Sequence, residues 1–128
     1  MDVFEMLKSY KTVAVVGCSR DESKYSNIVA RFLKGAGYRV IPVNPSTDEV
    51  IGQKCYKSLL DIPEKIDIVD VFRPSEDTLA IAKQAAQIGA KALWLQEGII
   101  NEETRKYAED KGMAFVQDKC MMKEYMKM

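Results

Sequence analysis

From Thr12 onward, short apolar runs rich in β-branched residues alternate with amphipathic stretches, and no other feature constrains the fold as much. Thr12-Val13-Ala14-Val15-Val16 is apolar at nearly every position and stops at Gly17. A run without polar alternation predicts a strand covered on both faces, as in a parallel sheet. Ile28, Val29, Phe32 and Leu33 then recur at helical spacing, and Gly35 and Gly37 supply the stop. Tyr38 to Val43 reads as the second strand. Pro42 within it points to an edge position or the strand's end, because proline cannot donate to a ladder. Lys57 to Leu60 reads as one helical turn, and Ile66 to Phe72 as the third strand. Ser75 is expected to cap a helix with Glu76 and Asp77 in its first turn and Leu79, Ala82 and Ala86 on one face. Gly89 ends that helix and Ala92 to Leu95 is the fourth strand. Asn101-Glu102-Glu103 opens another helix, which Gly112 closes, and Met113 to Val116 is the fifth strand before a Met-rich tail.

Strand alternating with helix throughout predicts a three-layer, Rossmann-like α/β fold: a five-stranded parallel sheet with helices on both faces. The expected strand order is 3-2-1-4-5, which places a crevice where the first and fourth strands end side by side. No linker, repeat or low-complexity stretch divides the chain, so residues 1–128 are expected to form one domain.

Composition narrows the chemistry. There is no histidine, which excludes serine–histidine and cysteine–histidine catalysis, phosphohistidine transfer and the usual imidazole metal sites. Cys18, Cys55 and Cys120 are dispersed, an arrangement of neither a disulfide scaffold nor a zinc site. Nineteen basic and nineteen acidic residues cancel, which argues against a general nucleic-acid or membrane-surface binder. No apolar window is long enough to span a bilayer and the first residues do not read as a signal peptide, so the expected compartment is the cytoplasm.

The loop from Gly17 to Tyr25 exceeds the usual length of about 2–6 residues for such a connection. Gly17 permits close backbone approach, Cys18 and Ser19 add amides, and Arg20 and Lys24 add charge before Ser26 at the next helix. These parts suit a phosphate or pyrophosphate. The loop is neither a P-loop nor GxGxxG, and Asn44-Pro45 stands where a classical NAD site needs an acidic residue. At the fourth strand's end, Gln96, Glu97 and Gly98 form the second crevice segment. Asp67 and Asp70, three apart on a strand, face opposite ways and are no acid–base pair. Trp94 reads as core, and for Arg73 an ion pair and a ligand contact stay equally open.

Val16-Gly17-Cys18-Ser19, Tyr38 to Pro45, Gly52 to Tyr56, Asp67 to Arg73 and Trp94 to Gly98, in that order, resemble the small stand-alone CoA-binding proteins. These are similar to the N-terminal domain of the succinyl-CoA synthetase α-subunit, and the resemblance runs from about Lys11 to Cys120. It implies coenzyme A as ligand, with pyrophosphate on the Gly17, Cys18 and Ser19 amides and on the Gly17–Ser26 loop. It also implies Asn44 and Pro45 on the adenosine side, Phe72 and Arg73 flanking adenine or phosphate, and Gln96, Glu97 and Gly98 near the pantetheine arm. Where the family loop commonly carries arginine and proline, this chain has Lys24 and Tyr25, keeping the charge but not the bidentate fork.

The expected function is therefore binding of CoA or an acyl-CoA, more as a non-catalytic module than as an enzyme, with no metal. Two alternatives stand beside it. One is a thiol-dependent oxidoreductase or transferase acting through Cys18 on a CoA disulfide or thioester. The other is a CoA-sensing module with a protein partner, and a homo-oligomer also stays open. For Cys18 the competing expectation is a small side chain packed beneath the loop.

Overall fold

The computed structural model describes residues 1–128. Strand β1 (Thr12–Val16) lies inside a parallel sheet with β2 (Arg39–Val43), β3 (Ile68–Val71), β4 (Ala92–Leu95) and β5 (Ala114–Val116). Its residues are buried from Val13 through Val16, as the unbroken apolar run predicts. Val13 and Val15 face one helical layer, formed by α1 (Val3–Ser9), α2 (Tyr25–Gly35) and α5 (Met121–Met126). There they pack with Met6, Leu7, Val29, Leu33 and Met121. Ala14 and Val16 face the other layer, α3 (Thr78–Gln87) and α4 (Glu102–Asp110), with Ala82, Ala85 and Ala108. The three-layer Rossmann-like architecture is borne out.

The strand order is not the expected one. The sheet runs β2-β1-β3-β4-β5, so β3 rather than β4 lies beside β1, and β2 is an edge. Proline explains why. The Pro42 carbonyl accepts from Tyr56 N–H at 3.0 Å, on the side of β2 away from β1. A residue's N–H and C=O point the same way in a strand, so the missing donor also faces outward, where it costs no bond to β1. The expected order would have set a third strand against that gap. Instead a two-stranded ribbon (Glu49–Val50 with Gln53–Lys54) and Tyr56 cover the edge, and the Gln53 amide donates to the Val40 carbonyl at 2.7 Å.

Smaller departures follow local chemistry. Ser75 does not cap α3. It opens a 3-10 turn (Ser75–Asp77), and its hydroxyl accepts from Ile100 N–H at 3.1 Å. Asn101 does cap α4, accepting from Thr104 N–H. The expected turn after Lys57 is a 3-10 turn at Leu59–Asp61. The Met-rich tail is helical, and so is α1, which the sequence reading does not include although Asp2 caps it by accepting from Glu5 N–H. No helix is long and apolar enough to cross a membrane.

Asp67 and Asp70 sit in different surroundings. Burial raises the Asp67 carboxyl, but the Lys11 and Thr12 N–H groups and Lys91 outweigh it, and the net direction is down. Asp70 sits beside Val15 and Trp94, is fully buried, and neither carboxyl oxygen has a hydrogen-bond partner. Burial alone raises it well above the ordinary range, which favours the protonated form in the folded chain. A raised carboxyl is stabilising below its unfolded value of about 3.9, and that contribution is lost as pH rises toward the folded value. Asp70→Asn is expected to lose this decline: thermal melts at pH 4, 5.5 and 7 should show the variant gaining on wild type as pH rises. Parallel curves would contradict the assignment.

Candidate functional site

A cleft of about 510 Å³ opens at the C-terminal ends of β1 and β2, on the α3 side of the sheet. That volume lies within the range of about 300–1,000 Å³ usual for small-molecule sites. Its floor and walls are apolar at Val16, Val43, Pro45, Leu59, Ala80 and Ile81. Its polar groups are Asn44, Ser46, Ser58 and Gln84, the cations Lys57 and Arg73, and the carboxylates of Glu76 and Asp77. The cleft arises from the strand order: with β3 beside β1, helix α3 leaves β3 directly over the mouth of β1.

Gly17 is the tightest point of this mouth. Its φ is +84°, and a Cβ built there would lie 2.5 Å from the Phe72 carbonyl oxygen and 3.1 Å from Arg73 Cδ. The glycine is thus required by the close passage of the chain after β3, which lays the Arg73 stem across it. Its N–H and that of Cys18 both donate to the Val43 carbonyl, at 2.9 and 3.2 Å. Ser19 N–H donates to Ser26 Oγ at 3.0 Å. The three amides expected to meet pyrophosphate are therefore engaged within the chain. Asn44 completes the tie, donating to the Cys18 carbonyl at 3.0 Å and accepting from Ser46 N–H at 2.8 Å.

A family model described as a CoA binding domain matches residues 11–126. The chain belongs to this CoA-binding domain family. It is 38% identical over 120 residues to an uncharacterized protein of Bacillus subtilis (strain 168), YneT, across 94% of this chain and 89% of that one. It is 35% identical over 101 residues to the ADP-forming acetate–CoA ligase II of Archaeoglobus fulgidus, across 77% of this chain but only 15% of the ligase. Among solved structures, a hypothetical protein from Pyrococcus horikoshii OT3 superposes with a TM-score of 0.96 at 43% identity, over 98% of this chain and 89% of that one. The motif string from Val16 to Gly98 thus identified the family.

Within this CoA-binding domain the residues named from sequence divide. Gly17, Asn44, Pro45 and Arg73 line the cleft. Cys18, Ser19, Arg20, Lys24, Ser26, Phe72, Gln96, Glu97 and Gly98 are not among the lining residues. Arg20 and Lys24 are exposed on the loop before α2, and Ser26 is buried beneath it. Phe72 packs into the core on the α2–α5 side. The segment after β4 is bound to the chain's last helix: Gln96 Oε1 accepts from Met121 N–H at 3.1 Å, and Glu97 pairs with Lys123 at 2.9 Å. Gly98 N–H donates to Asp118 at 2.7 Å. The expected crevice between strands 1 and 4 does not exist, because β3 fills that place.

Sequence reading missed Ser46, Lys57, Ser58, Leu59, Glu76, Asp77, Ala80, Ile81 and Gln84 as cleft residues. Pro42 carried the needed signal: a second strand at the sheet's edge puts the third beside the first and brings α3 over the site. Cys18 is fully buried, and burial, with Cys55 and Asp70 nearby, pushes its thiol up to about 12. A protonated, enclosed thiol fits packing and works against nucleophilic chemistry.

Gly17→Ala is expected to destabilise the fold by about 2–4 kcal/mol, from the positive φ together with the contact on the Phe72 carbonyl. Denaturant unfolding measures this, and a loss below about 0.5 kcal/mol would show that the close passage is not a constraint.

Proposed function

We propose that this chain binds coenzyme A with the adenine nucleotide end in the cleft, as a binding module without chemistry of its own. One observation carries the reading. In a member of the CoA-binding domain family, the described cleft of about 510 Å³ combines apolar walls with two cations, Arg73 and Lys57. The adenine ring packs between Pro45, Leu59 and Ile81, and the Asn44, Ser46, Ser58 and Gln84 side chains meet its edge and the ribose. The phosphates lie against Arg73 and Lys57, since the Gly17, Cys18 and Ser19 amides are engaged elsewhere. The pantetheine arm leaves over Gly17 and follows the C-terminal edge of the sheet past β3 toward Glu97 and Gly98 at the end of β4. Binding without catalysis is supported by the lack of histidine and by the protonated state of the buried Cys18 thiol.

Ala80 is exposed on α3 and lines the cleft, so Ala80→Trp fills the cleft without touching the core. Calorimetric titration is expected to show CoA binding by wild type and a loss of at least about tenfold in Ala80→Trp at an unchanged melting temperature, the steric cost of a blocked pocket. Wild-type affinity in that variant would place the ligand elsewhere. Removing the 3'-phosphate, as in dephospho-CoA, is expected to weaken binding as well.

A further inference from the structure

Arg73 Nη2 lies 3.0 Å from Asp77 Oδ2, one turn apart, and both residues line the cleft. We propose that Asp77 is a built-in competitor for the ligand's phosphate: its carboxylate holds Arg73 at the cleft, and a phosphate must displace it to bind. This rests on the assignment of the cleft as the CoA site.

Three observations support it. First, the Arg73 stem crosses Gly17 at the cleft mouth, and Arg73 is one of the residues that line the cleft. A phosphate entering over Gly17 therefore meets Arg73 together with its partner. Second, Asp77 occupies the cap position of α3 yet makes no side-chain bond to that helix. Its backbone is already helical, φ −89° and ψ −11°, because the preceding 3-10 turn runs straight into α3. A capping aspartate needs extended backbone to turn its oxygens back onto the first amides. The Asp77 carboxylate is thus left to Arg73, its one side-chain partner. Third, the pair is half exposed and joined through a single guanidinium nitrogen, the weak kind of ion pair. A phosphate can take two parallel N–H bonds from arginine and so outcompetes a singly bonded carboxylate. The released carboxylate remains at the N-terminus of α3, where the helix dipole favours negative charge.

Lys57 shows the contrast. Its partner Asp48, 3.6 Å away and 91% exposed, is outside the cleft lining and does not stand in a phosphate's way. Asp77 does. It makes the cleft select for ligands whose anionic group can take Arg73 from a singly bonded carboxylate.

The test is a double-mutant cycle read by calorimetry with CoA and with adenosine: wild type, Asp77→Asn, Arg73→Ala and the double variant, each checked by its melting temperature. Asp77→Asn is expected to tighten CoA binding by about three- to tenfold, by freeing Arg73 for the phosphate, and to leave adenosine unchanged. The gain should vanish when Arg73 is alanine. An unchanged or weaker CoA affinity in Asp77→Asn would overturn the proposal, as would a gain that persists without Arg73. If Ala80→Trp retains full affinity, the cleft assignment itself falls. If Ala80→Trp blocks binding while Asp77→Asn changes nothing, only the competitor role falls.

Discussion

The ladder between β1 and β3 sets the rest of this molecule. Val13 to Val16 register with Ile68 to Val71, and the chain leaving β3 passes close enough to Gly17 that no side chain fits there. Because β3 is beside β1, α3 lies over the β1 mouth, β2 is driven to the edge and the cleft opens between them. In the expected order with β3 outside β2, Arg73 and α3 would have been carried away from Gly17, and the cations and apolar wall would not share one pocket.

On its other side, β1 is tied to β2 in a way that stiffens the cleft floor. The Val43 carbonyl gathers the Gly17 and Cys18 amides, Asn44 grips the Cys18 carbonyl, and Ser26 takes the Ser19 amide. These bonds tie the ends of β1 and β2 and the start of α2 into one platform. A ligand there meets preorganised walls, and the adjustable parts are side chains at the rim: Arg73 with Asp77, and Lys57 with Asp48.

Much of this was legible in the residues. The unbroken run at Thr12 to Val16 gave a strand buried on both faces, and the glycines ended the helices where expected. The string of motifs identified the CoA-binding domain family. What failed was topology, since periodicity describes each strand but not its neighbour. Pro42 held the missing information, and its physical meaning, a donor absent on the outward side, becomes decisive only once the Tyr56 contact is known. Which residues line the cleft followed from the topology. Gly17, Asn44, Pro45 and Arg73 line the cleft because they end β1, β2 and β3. Gln96 to Gly98 end β4, one strand further along. Asp77 and Ile81 were not legible as cleft residues because on a lone helix they look like a first-turn acid and a core residue.

Amide-resolved NMR of the labelled chain titrated with coenzyme A tests the central claim most directly. The placement in the cleft predicts the largest shifts at Gly17, Asn44, Ser46, Ser58 and Arg73 and along the first turns of α3. Shifts concentrated instead on Ser19 to Ser26 and on α5, with α3 unmoved, would contradict it and put the ligand on the opposite face of the sheet.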